Sequence, residues 1–240
     1  MTRRGLKFAL LAGTVLALVP TAFAAGGPLL PRSVSSYLLG PKLIRAEIAV
    51  RGGQAVRGFW VDRGRLIKRY SAGSLNLLER NGTAVTVPVS SAARVTLNGR
   101  IVTVRALRAG MQIAVAHEDN VPASAVYASS ARSAPPKLPV GMYATLLGNR
   151  LIRGEIAVKD PAGTHDYRLD RGRITQIGVT TLTLHEADGT DVTVNVSATA
   201  RVKVNGQNAI FVQLRRGMTA ITIHDHDNPA DQIYATGKLK

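Results

Sequence analysis

The sequence predicts an all-β protein made of two tandem small β-barrel or rolled-sandwich domains, produced by internal duplication and preceded by a signal peptide. Three observations carry that expectation. Residues 75–128 align without a gap onto residues 182–235, with 24 of 54 positions identical. Inside each copy apolar residues alternate with polar ones at a period of two, the signature of half-buried strands. Between the alternating runs stand Asn81-Gly82 and Asp188-Gly189, dipeptides whose tolerance of positive φ suits two-residue type I′ hairpins, and Asn98-Gly99 and Asn205-Gly206 supply a second turn in each copy.

Taken in order, residues 1–24 read as a secretory signal. Arg3, Arg4 and Lys7 form its positive region, residues 8–19 its apolar stretch, and Ala22-Phe23-Ala24 its small-residue cleavage site. The apolar stretch is too short for a comfortable span, so cleavage after Ala24 leaves no transmembrane segment and exports the chain to the periplasm or beyond the cell. The sequence has no cysteine, so a hydrophobic core rather than disulfides must stabilise the exported protein. Residues 25–34 are a linker, and residues 35–128 the first β-domain. A Pro/Ser/Ala linker at 129–140 follows, held partly extended by Pro135-Pro136. The second domain spans 141–236, with a short tail at 237–240. The repeat also covers the opening strand, LIRAEIAV at 43–50 against LIRGEIAV at 151–158, and Asp62-Arg63-Gly64-Arg65 against Asp170-Arg171-Gly172-Arg173. Each unit is then a normal small domain. Residues 101–109 and 208–216 lack alternation and suit one helical turn or an irregular crossover; no other helix is expected. The lone tryptophan, Trp60, beside Phe59, suits either a core or interface position or a ligand-stacking one.

Charge is unevenly shared. The formal net charge of +16 falls to +13 without the three signal-peptide cations, and residues 35–130 hold 13 basic against 5 acidic residues, while 141–240 hold 12 against 10. The first domain is the electropositive one, with Arg63, Arg65, Lys68, Arg69, Arg105 and Arg108 as candidate anion-binding residues. Such a face attracts an anionic envelope polymer, anionic lipid or nucleic acid. Base stacking is weakly supported, since only Phe59, Trp60 and Tyr70 lie near the cations.

A second candidate site is His224-Asp225-His226-Asp227. On a strand, positions i and i+2 share a face, so His224 and His226 would meet one divalent metal with Asp227 close by. The first copy keeps a single histidine there, His117. His165 and His185 are expected at the surface, His165 in a turn. No nucleophile motif, zinc-protease motif or Walker sequence is visible. Arg45-x-Glu47 and Arg153-x-Glu155 read as cross-strand ion pairs and Asp62 and Asp170 as turn residues. A hydrolase of envelope polymers would need a cleft lined by Glu47 or Asp62.

Each copy resembles the small secreted bacterial β-domains grouped as a family of unknown function, with a G-x-[IVL] turn, paired hairpin strands, L-x-x-G-x-x-[VI] and a closing A-x-x-[VI] strand. The matching residues are 64–66, 107–113 and 123–126, then 172–174, 214–220 and 230–233, where Ala220 departs from the pattern. These are turn and core residues, so the resemblance implies a fold and no activity. The expected function is an exported, non-catalytic binding or structural module that needs no cofactor, with a periplasmic metal-binding protein as the alternative.

Overall fold

A computed structural model describes residues 30–70 and 73–238. The expected signal peptide and the first part of the following linker lie outside them. The first repeat contains α1 (Arg32–Leu38), β1 (Leu43–Gly52), β2 (Ala55–Tyr70), β3 (Ser74–Glu79), β4 (Ala84–Leu97), β5 (Arg100–Val102), a 3₁₀ turn at Val104–Ala106, β6 (Gln112–Glu118) and β7 (Ala123–Ser129). The second contains, in the same order, α2 (Val140–Leu147), β8 (Leu151–Asp160), β9 (Gly163–Ile177), β10 (Thr181–Glu186), β11 (Asp191–Val204), β12 (Gln207–Ala209), a 3₁₀ turn at Phe211–Gln213, β13 (Thr219–Asp225) and β14 (Ala230–Thr236). The chain is all-β in character, and among the described residues its strands form one large sheet. No helix among those residues is long and apolar enough to cross a membrane.

The long strand β2 organises the first repeat. Along one edge it pairs first with β1 and then with β3; along the other it pairs with β6. From β3 the pairing runs to β4, in parallel to β7, to β6, and back to β2. The same circuit runs through β9, β10, β11, β14 and β13. Gly64 sits where β2 turns from β1 to β3. A Cβ there would lie 2.6 Å from the carbonyl oxygen of Leu78, and one at Gly172 2.6 Å from that of His185. Only glycine lets the neighbouring strand approach so closely. Each circuit carries its own apolar cluster, with Leu66, Leu75, Leu77 and Ile113 in the first and Ile174, Leu182, Leu184 and Ile233 in the second.

The hairpins correct one expectation. Asn98 and Gly99 both have positive φ, as do Asn205 and Gly206, so the second turn of each copy, β4–β5 and β11–β12, is of type I′. At Asn81-Gly82 and Asp188-Gly189 only the glycine has positive φ. There Gly82 N donates to Glu79 O at 3.0 Å and Glu79 N to Thr83 O at 2.8 Å. That is a three-residue loop, a type I turn followed by a left-handed glycine. Asn81 Oδ1 accepts from Thr83 N and Asp188 Oδ1 from Thr190 N, which is what holds the loop in this form.

The repeats meet through β1 and β8, which pair antiparallel about Glu47 opposite Glu155, with Arg45 opposite Ala157 and Ala49 opposite Arg153. This register relates the copies by a pseudo-twofold axis between the two glutamates. One face of the ribbon carries a third core, in which Ala46, Ile48, Val61 and Ala114 of the first repeat join Leu151, Ile156, Leu169 and Ile221 of the second. The two helices close this core, and neither was expected. At seven and eight residues, with no side-chain N-cap, they are too short to persist in water on propensity alone. Leu38, Leu39, Leu146 and Leu147, all buried, hold them by packing. The helices are exchanged: Tyr37 of α1 reaches Asp160 and Tyr167 of the second repeat, while Met142 and Leu146 of α2 lie beside Phe59 and Tyr127 of the first. Tyr143 Oη also donates to Leu39 O, tying the helices together. The connection at 129–140 is packed as well, with Ser129 Oγ bonded to Ala134 O at 2.7 Å and Leu138 buried.

Candidate anion-binding site

The six cations expected to form one basic face are divided by the alternation of β2 and by the chain that crosses it. Arg63 is 3 % exposed, because residues 133–136 fold over its face of the strand. Its Nη1 donates to Pro136 O at 2.8 Å, while Nε and Nη2 have no hydrogen-bond partner among the described residues. Burial pulls the guanidinium down to about 10, against the favourable field of Tyr143 and with the repulsion of Arg80. It is therefore still a cation at neutral pH, and buried cations require a compensating anion or full hydrogen bonding. Arg63, Arg65 and Arg80 line one cleft of about 370 Å³ with Gln112, Ser133 and Pro135. Glu79 also borders it; its carboxylate is buried and lies 3.7 Å from Arg45 Nη1.

Lys68 and Arg69 lie farther along β2, exposed, opposite Asn76 and Leu75 of β3. Lys68 Nζ sits 5.1 Å from the Tyr70 ring centre. Arg105 lies in the 3₁₀ turn and Arg108 just beyond it, and Arg108 Nη1 is used on the carbonyls of Arg105 and Leu107. None of these four lines the cleft. The sequence reading missed Arg80, which lies at a hairpin tip far along the chain from Arg63. Comparing the repeats would have found it, since its counterpart is Ala187.

The histidine site differs from its expectation. Strand β13 ends at Asp225, and His226 takes a left-handed φ of 53°, so strand alternation does not carry His224 and His226 onto one face. His224 Nε2 lies 3.6 Å from Asp170 Oδ2, His226 Nε2 lies 3.3 Å from Asp166 Oδ2, and Asp227 meets Arg168 at 2.9 Å. Among the described residues no group of three or more His, Asp or Glu is arranged to hold a metal ion. His165 is in β9 rather than a turn. It is partly buried, bridges Asp225 at 2.7 Å and Asp160 at 3.4 Å, and stacks on Tyr167. His185 is at the surface beside Asp191.

The carboxylates are also redistributed. Arg45 pairs with Glu79 of β3, Arg153 with Glu186 of β10 and with Asp188 in the loop beyond it, and Glu155 with Arg168 of β9, so the charges of β1 and β8 pair with other strands, as expected. Asp62 and Asp170 lie within β2 and β9, not in turns, and Asp62 Oδ2 is 3.5 Å from His117 Nε2. Across the sheet, His117, Trp60, Glu47, Glu155, Arg168 and His224 stand in one cross-strand row. Trp60 is half-buried there. Neither the basic cleft nor a second cleft beside Phe59 is lined by Glu47 or Asp62.

No protein-family model, curated protein or solved structure matches the chain.

Proposed function

We propose that the chain is an exported, non-catalytic binding module, and that its first repeat holds an anionic envelope polymer through the Arg63 cleft. The observation that carries this reading is the buried Arg63 guanidinium with two unused donors, bordered by Arg65 and Arg80. A phosphate, sulfate or carboxylate group entering there supplies the anion that offsets the buried Arg63 charge and meets Arg65 and Arg80 at the cleft wall, where charge-assisted hydrogen bonds are among the strong ones. Lys68 and Arg69 extend the positive track along β2 for neighbouring charges of the polymer. We further read each five-strand circuit as a small closed barrel derived by duplication. Five-stranded barrels of this size are established scaffolds for oligosaccharide and oligonucleotide binding.

The test is a titration of the mature protein with fluorescent polyphosphate over a salt series, after chelator treatment. Log affinity is expected to fall linearly with log salt. Arg65→Glu and Arg80→Glu should each weaken binding and reduce the magnitude of the slope by about one, whereas Arg173→Glu in the second repeat should leave both unchanged. Absence of binding at low salt, or binding by the two first-repeat variants equal to that of the wild type, would sink the proposal.

A further inference from the structure

The helix exchange sets two equivalent places side by side, one filled and one open. The motif Leu38-Leu39-Gly40 at the end of α1 corresponds to Leu146-Leu147-Gly148 at the end of α2, so Tyr37 corresponds to Thr145. Over the second repeat, the Tyr37 ring packs edge-on to Tyr167 with centroids 5.9 Å apart, and its hydroxyl donates to Asp160 Oδ2 at 2.9 Å. Over the first repeat, Phe59 replaces Tyr167 and Arg57 replaces His165, but Thr145 supplies no ring. Its side chain is exposed and its hydroxyl is bonded to Gly141 O at 2.9 Å. A cleft of about 390 Å³ remains, with Phe59, Tyr127, Met142, Pro139 and Leu146 among its walls.

We propose that this cleft binds a small monocyclic aromatic molecule, with a phenol as the best-matched group. The second repeat supplies the template, since its own phenol occupies the corresponding place edge-on to an aromatic wall, a favoured ring geometry. The walls are apolar, as ligand pockets mostly are, with few polar groups to orient the guest. The charged ones are Arg57 and Glu118, which pair with each other, beside the polar side chains of His117, Ser124 and Thr145; Glu118 accepts from the ligand hydroxyl. Arg57 lies over the Phe59 ring at 5.3 Å and its stem crosses Gly52, the counterpart of Asp160, so the polar end of the guest is directed to Glu118.

The experiment is titration of the mature chain with 4-fluorophenol, read by ¹⁹F NMR, with cyclohexanol as a competitor of similar size. Saturable binding at one site with a Kd of about millimolar or tighter is expected for so small a ligand, and cyclohexanol should displace it poorly. Thr145→Tyr, which copies the filled site, should weaken binding at least about tenfold without lowering Tm. Amide shift changes in the wild type should centre on Phe59, Tyr127 and Met142. No saturation, displacement by cyclohexanol at equal concentration, shift changes confined to the second repeat, or a folded Thr145→Tyr protein that binds as the wild type does would each overturn the proposal.

Discussion

Buried charge decides how this protein responds to pH. Glu186 has no exposed side-chain surface, and burial pushes its carboxyl up to about 7 in spite of the Arg153 contacts. Its folded value thus exceeds its ordinary 4.5, so its contribution is full below 4.5 and is lost as pH rises through 7. The loss is on the order of 3 kcal/mol. His165 is raised by its bond to Asp225 and His224 by its bond to Asp170; both stabilise below the ordinary histidine value of 6.5 and lose that effect above it. In the other direction, Asp160 is lowered, chiefly by the Tyr37 hydroxyl, and Asp225 is lowered because its bonds to His165 and His226 outweigh burial. They stabilise above their ordinary 3.8 and cease to do so in acid. Thermal unfolding across pH should therefore give a maximum Tm between 3.8 and 6.5 and a steep decline through neutrality. Glu186→Gln should flatten that decline, and an unchanged profile in the variant would refute the assignment. The sequence showed Arg45, Arg153 and the histidines, but not their partners. Glu79 and Glu186 are far from those arginines along the chain, and a period-two pattern says which face a residue takes without saying what it meets there.

At the scale of the element, strands and turns were the legible part. Alternating residues predict β3, β4, β10 and β11, and the Asn-Gly dipeptides at 98–99 and 205–206 mark two turns in the places found, though not their type. The turn type at 81–82 was not legible, because an Asx contact from Asn81 competes with the two-residue form. The helices were invisible for a physical reason: α1 and α2 have neither capping side chains nor length, and packing alone selects their conformation. Gly64 gives the sharpest test at this scale. In Gly64→Ala the methyl group meets the Leu78 carbonyl, so β2 and β3 must part where the circuit begins. Chemical denaturation should show a loss of at least about 2 kcal/mol. Gly99→Ala, which only strains an exposed turn, should cost about 1 kcal/mol. Equal effects would remove the close-approach argument.

For the whole molecule, the expectation of two units joined by a linker meets a structure whose central core draws on both. The same order of strands in the two halves was readable from their identity; helix exchange was not, since sequence comparison cannot say over which half a helix lies. The consequence is measurable because the first repeat carries Trp60, the only tryptophan in the sequence. Urea unfolding followed by Trp60 fluorescence should coincide with unfolding followed by circular dichroism of all strands, as one cooperative transition. Separate midpoints would mean that the repeats unfold independently. Residues 30–138 or 139–238 expressed alone should expose the central core and fail to give a cooperative transition.

The β1–β8 register makes one chain its own partner. Arg45 opposite Ala157 and Ala49 opposite Arg153 is the same contact made twice with the partners reversed, the geometry of an isologous interface, here formed within a single polypeptide. The encounter of the two halves is therefore intramolecular and independent of concentration. A single chain can also keep Tyr37 in one half and Thr145 at the corresponding place in the other, an asymmetry closed to any homodimer.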